Sequence, residues 1–165
     1  MPVRFRQPAP LARRELVEAA EVELGVGIPD AYVALLTEVS NGGGVQLNAL
    51  AGEAEIGVSV RGFYGVGRSD DWDLVAAWLS SRGDVPAWFL PIGEDSFSNR
   101  IGLSVRSSDA GSVWFWDHEA EAGDAITNVA PDLGNFLSRL QEPDVEDPQV
   151  ISVWVDPDFT PEFDD

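Results

Sequence analysis

Two alternating segments flank a five-residue turn in RIGLSVR-SSDAG-SVWFWDH, Arg100 to His118, and no other part of the chain reads so clearly as an antiparallel hairpin. If SSDAG pairs Arg106 with Ser112, then Val105 faces Val113, Leu103 faces Phe115 and Ile101 faces Asp117 on one side of the ribbon. The other side sets Trp114 opposite Ser104, Trp116 opposite Gly102 and His118 opposite Arg100. The first side is mostly apolar, so another layer has to cover it.

Helical periodicity upstream supplies that layer. Residues 1–10, MPVRFRQPAP, hold three prolines and no period, and read as an extended arm. A first helix is expected from about Leu11, with Val17, Ala20 and Leu24 on one stripe, ended by Gly25 and Gly27. A second opens at IPDAYVALLTEV, with Pro29 in its first turn and Tyr32, Leu35, Leu36 and Val39 in register. Asn41 to Gly44, NGGG, supplies residues that tolerate positive φ just past its end.

From Val45 to Gly67 the period changes to two, with Ile56, Val58 and Val60 alternating against Gly57, Ser59 and Arg61. The glycines of GFYGVG indicate a bend or a close backbone approach. Ser69, Asp70 and Asp71 are candidate N-caps for a third helix through about Ser80, whose inner side takes Trp72, Leu74, Val75, Trp78 and Leu79. AWFLPIG reads as a short strand that lies at an edge or ends at Pro91, because proline lacks a ladder donor. NVAPD starts a fourth helix carrying Leu133, Phe136, Leu137 and Leu140. Residues 142–165 then hold nine acids, no base and four prolines. Their one apolar segment, 150–155, has two expected uses: an edge strand, or a cover over the tryptophan side of the hairpin through Val153 and Trp154.

Totals narrow the function. The 165 residues, 44% apolar, fit one domain with one core. No apolar run approaches the ~20 residues that span a bilayer and no leader precedes the arm, so a soluble, cytoplasmic protein is expected. With no cysteine, disulfides, thiolate metal sites and a cysteine nucleophile are excluded, and one histidine excludes a multi-histidine cage. The 29 acids outnumber 10 bases, all arginine, for a net charge of −19. Such a surface repels nucleic acid and anionic membranes and steers basic proteins toward itself. Genome composition or a salty habitat would produce the same acidity, and charge alone does not separate these origins.

The chemical motifs are weak. Asp117, His118 and Glu119 stand in VWFWDHEAEAGD, but neighbours on a strand point to opposite faces and no second histidine is spaced to help them hold a metal. GFYGVG has the wrong spacing for a dinucleotide loop, and a Walker-type lysine is impossible in a chain without lysine. No G-x-S-x-G is present to support a serine triad. Carboxylate pairs abound, and an acidic hydrolase stays open as one alternative, though no pair is singled out. Trp72, Trp78 and Trp88 fall on faces assigned to the core, whereas Trp114 and Trp116 lie on the other face, suited to anchoring a partner or to lying under the tail.

Taken in order, EVELGVGIPDAYVALLTEVSNGG, GFYGVG, LPIGEDSFSNRIGLSV, GSVWFWDHE and VAPDLGNFLSRL resemble the SUKH superfamily, known chiefly as immunity proteins of bacterial polymorphic toxin systems. The resemblance covers most of residues 11–140. Ile28 replaces a usual leucine, and Ser98 stands where the family often has glycine before the asparagine. The likeness implies an α+β single domain, helices on a twisted, mainly antiparallel sheet, that acts by binding, without catalysis or cofactor. The domain is expected over 11–141, with 142–165 as an acidic extension. The expected partner is a cognate protein toxin, basic and with nucleases as one candidate class; a cell-wall-synthesis regulator of the same fold is the alternative. The expected contact residues are Glu94, Asp95, Trp114, Trp116, Asp117, His118, Glu119 and Glu121.

Overall fold

The structure, a computed structural model, describes residues 3–46, 49–50, 58–121 and 124–141. In chain order the elements are α1 (Arg14–Leu24), α2 (Asp30–Glu38), β1 (Gly43–Gly44), β2 (Ala49–Leu50), β3 (Gly62–Phe63), α3 (Leu74–Ser81), β4 (Phe89–Glu94), β5 (Arg100–Ser104), β6 (Val113–Trp116), β7 (Ile126–Ala130), α4 (Leu133–Ser138) and β8 (Leu140–Gln141). The main sheet is antiparallel throughout, in the order β1-β3-β4-β5-β6-β7, and β2 pairs with β8 in a second, two-stranded sheet. The α+β arrangement expected from the chain is the one observed.

Where periodicity is strong, element and burial agree with it. Val17, Ala20 and Leu24 are the buried residues of α1, and Gly25 ends it at φ 76° with its N–H on the Glu21 carbonyl. Tyr32, Leu35 and Leu36 are buried in α2. Val39, expected on that stripe, is 45% exposed. The helix stops at Glu38, and the N–H groups of Val39 and Ser40 both reach the Leu35 carbonyl, a loosened last turn that rotates Val39 outward.

The third helix begins later than its acids suggest. Asp73 is its N-cap, accepting from Ala76 N, because Asp70 is already bound to Arg68 and to the Trp72 N–H. Its buried face is Leu74, Val75, Ala77, Trp78 and Ser81, which leaves Leu79, about a third of a turn away, 57% exposed.

Strand β4 is not at an edge. It lies between β3 and β5, and Pro91 is accommodated by a register shift between Pro91 and Gly93 that leaves Ile92 as the extra residue. The β5–β6 hairpin pairs Leu103 with Val113, Gly102 with Trp114, Ile101 with Phe115 and Arg100 with Trp116. This is a slip of two residues from the expected register, so every side chain keeps its face while changing its partner. Asp109 causes it. Its carboxylate accepts from Ser104 Oγ at 2.6 Å and from Arg106 Nε and Nη2, which draws both residues into a longer turn closed by Gly111 N on Ser104 O. The first three residues of NVAPD, expected to start a helix, are instead the end of strand β7. Helix α4 begins only after Asp132, which caps Asn135 N, and Leu140 belongs to β8. Val58 and Val60 are buried and Arg61 exposed, as alternation requires; Ile56, the strand at 150–155 and the Val153–Trp154 cover lie outside the described residues.

Beneath the sheet, NGG and GFYGVG meet. Asn41, 8% exposed, accepts from Val66 N through Oδ1 and donates to Val66 O through Nδ2, both at 2.8 Å. Its amide thus behaves as a short strand beside residue 66. Gly65 is required by this approach, since a Cβ there would collide with the Asn41 backbone and Oδ1, and a Cβ on Gly62 would collide with the Trp72 indole. The Tyr32 hydroxyl sits between the carbonyls of Tyr64 and Ile92, tying α2 to the sheet, and burial holds its phenol well above the usual range. At the far edge the arm adds to β1: Arg6 N donates to Gly44 O and Gln46 N to Arg4 O, with Val3 and Phe5 buried.

Asn41→Ala is expected to lower unfolding stability by about 2–4 kcal/mol, because it strands both polar groups of Val66 in the interior. Denaturant midpoints at unchanged slope measure it; a loss under about 0.5 kcal/mol would mean that the amide pairing contributes little.

Candidate functional site

Antiparallel pairing brings the end of β4, the start of β5 and the end of β6 to one end of the sheet, in the row Glu94, Arg100, Trp116, Ile126. Glu94, Asp95, Asp117, His118 and Glu119 therefore gather there, with Glu121 farther along the β6–β7 connection. They are not equivalent. Glu94 is ion-paired to Arg61 and accepts from the Tyr64 hydroxyl at 2.7 Å. Burial, followed by that bond, pushes the Tyr64 phenol above its ordinary range. Asp95 is 3% exposed and braces its own loop, accepting from Phe97 N at 2.8 Å, Asn99 N at 2.9 Å and Asn99 Nδ2 at 3.0 Å. Neither acid presents a free carboxylate outward.

Asn99 carries that brace across to β6. Its Oδ1 accepts from the backbone N of His118 at 3.0 Å and lies 2.8 Å from His118 Nδ1. The Asp117 carboxylate accepts from Glu119 N and its carbonyl from Ala120 N, an Asx-type turn, while Asp117 N donates to Ala125 O instead of pairing with Ile101. His118 is accordingly not opposite Arg100. Asp117, Glu119 and Glu121 have no arginine within ion-pair distance among the described residues, and neither do Asp84 and Asp124; the nearest cationic candidate is His118 Nε2, 3.8 Å from Glu119 Oε2. Among the described residues no group of three carboxylates or imidazoles is gathered as a metal would need.

The tryptophans sort differently from expectation. Trp78 is core at 8% exposure. Trp88 is only half-buried, and it lies with Trp114 on the outer face, ring centroids 5.0 Å apart and edge to face. The Arg106 guanidinium stacks 3.6 Å from the Trp88 centroid and 5.4 Å from that of Trp114. Trp114 pairs with Gly102, which has to be glycine because a Cβ there would come 2.5 Å from the Phe89 ring. Trp116 is half-buried, with His118 6.2 Å away by ring centroids. Trp88 and Arg106 were missed as surface residues; the Arg106–Asp109 spacing across the turn was the available signal, since it forms an i,i+3 ion pair.

Beside Trp116 is an open hollow of about 460 Å³ whose walls include Asp84, Pro86, Trp116, His118, Ala120 and Ile126. The chain entering β4 forms one wall and the β6–β7 connection the other. Asp70 and Asp109 both titrate at about 2, each held low first by its arginine, Arg68 and Arg106. That is the opposite of the raised carboxyl a hydrolase's general acid requires.

Ser98, in the position where glycine was the expected residue, adopts φ 72°. Ser98→Gly is expected to raise stability by about 0.5–1 kcal/mol, strain relief outweighing the added freedom of the unfolded chain, as read from the thermal midpoint. Because Asp109 titrates at about 2 against its ordinary 3.8, its contribution to the turn is complete above about 3.8 and is lost as pH falls through about 2. Acid titration of tryptophan fluorescence is expected to show a transition between these values, and Asp109→Asn to place the native protein in the acid-form spectrum at neutral pH.

No helix among the described residues is long and apolar enough to cross a membrane. No curated protein sequence matches the chain at a significant level. The profile of the SMI1 / KNR4 family (SUKH-1) matches residues 11–139, from the start of the helical layer to the end of α4. Members of this family are generally non-catalytic immunity or regulatory domains that interact with protein partners. On that match, and on the helix-covered antiparallel sheet beneath it, this chain belongs to the SMI1 / KNR4 family (SUKH-1).

Proposed function

We propose that the chain is a cytoplasmic immunity protein that binds a cognate toxin and occludes its active site or its substrate entry. One observation carries the reading: Asp117, Glu119 and Glu121, without arginine partners among the described residues, lie in the turn that directly follows half-buried Trp114 and Trp116 of β6. Aromatic anchors with a charged rim are the composition of a protein-binding surface, because indoles supply desolvated contact while the rim steers encounter. A net charge of −19 favours a basic toxin, and a nuclease is one class whose substrate-binding cations the rim would neutralise. Nucleic acid and membranes are not partners on this reading. His118 contributes by holding the turn that presents the acids, and Glu94 and Asp95 by fixing the neighbouring loop. The domain spans 11–141, the arm at 1–10 precedes it with Val3 and Phe5 buried, and 142–165 adds negative charge to the sequence.

The test is co-expression with the product of the gene immediately upstream, scored by host survival and co-purification. The triple variant Asp117→Arg, Glu119→Arg, Glu121→Arg is expected to stay folded, with a thermal midpoint lowered only by the lost Asp117 turn bond, and to lose protection, with affinity weakened about a hundredfold or more, since like charges facing one another cost several kcal/mol. Association rate is expected to fall as ionic strength rises. Protection unchanged by the triple variant would remove this surface; an upstream product that is not a toxin would move the chain to the regulatory branch of the family.

A further inference from the structure

The hollow beside Trp116 has a polarity that the hydrogen bonds around it determine. Asn99 Nδ2 donates to Asp95 Oδ2, which fixes the amide with its oxygen toward His118. That oxygen is an acceptor only, so His118 Nδ1 carries the proton, and in the neutral ring Nε2 is left as an acceptor. At 3.8 Å from Glu119 Oε2, Nε2 is beyond hydrogen-bond distance. The lining residues also include Trp116, Asp84, Pro86, Ala120 and Ile126, and no arginine among the described residues lines the space. An indole, an acceptor nitrogen and a carboxylate around an apolar wall complement one kind of side chain: a long apolar stem ending in a flat, multiply donating cation.

We propose that this hollow receives an arginine side chain of the protein partner, with its stem against Pro86 and Ile126 and its guanidinium between Trp116, His118 Nε2 and Asp84. Arginine fits better than lysine because its planar fork stacks on an indole while donating in two directions, and it sheds water more readily than an ammonium. The inference rests on the protein-binding reading above and names what enters the site.

The test needs no toxin. Full-length protein is titrated with capped Gly-Arg-Gly, Gly-Lys-Gly and Gly-Glu-Gly peptides while the Trp116 indole and His118 ring signals are followed by NMR. The arginine peptide is expected to shift both signals and to saturate in the millimolar range, the lysine peptide to bind more weakly and the glutamate peptide not at all. Asp84→Asn should weaken the arginine peptide about two- to fivefold, as loss of an exposed charge pair does, and Trp116→Leu should abolish the shift at His118. If Trp116→Leu does not fold, Asp84→Asn and the peptide series decide. No shift at tens of millimolar, or equal shifts with all three peptides, overturns the proposal. Failure here with protection intact removes the hollow alone; arginine binding without protection keeps the hollow and removes the toxin.

Discussion

The contact on which the sheet's helix-facing half depends is a side-chain amide doing the work of backbone. Asn41 leaves the end of α2 and satisfies both polar groups of Val66, which lets the chain after β3 run beside a loop with no strand to pair with. Gly65 and Gly62 permit the approach, and Trp72 fills the space over Gly62. Once these are placed, Tyr64 is positioned to meet Glu94 and Trp72, and Arg100 reaches α3 through Ala77 O at 3.3 Å and Ser81 Oγ at 2.5 Å. The row that carries Arg100 also carries Trp116. Position at the candidate surface is therefore linked to a buried amide at the end of α2.

In a chain so poor in cations, the placement of arginine decides which acids are free. Arg61, Arg68 and Arg106 are each committed to an acid or an aromatic face near their own element, and Arg100 to a helix end. These pairs are partly exposed and contribute modestly to stability. Their larger effect is spatial: they neutralise the flanks of the sheet and leave the β6–β7 turn negative. Exposed Glu15, Glu18 and Glu23 of α1 have no ion pair among the described residues either, so the turn beside Trp116 is one of two negative regions.

Much of the fold was legible because burial imposes a period. The stripes of α1 and α2 and the alternation of β5 and β6 follow from it, and faces survived the two-residue slip because a strand's period is two. What failed was whatever a polar side chain decided locally. Asp109 lengthened the hairpin turn, Asp70 displaced the cap of α3, and the bulge at Ile92 allowed a proline in a central strand. For the site, the shared face of Trp114 and Trp116 could be read from alternation. The burial of Asp95 and the surface role of Trp88 could not, since both depend on loops meeting across the sheet.

The first residues, joined to β1 through Arg4, Arg6 and buried Phe5, close one flank of the main sheet. Strand flanks with free donors and acceptors recruit other chains. The arm thus covers the β1 edge, and its removal would leave that edge's donors and acceptors open to pairing by another chain. Preparations trimmed by proteases before Gln7 would carry that hazard while keeping the opposite end of the sheet intact.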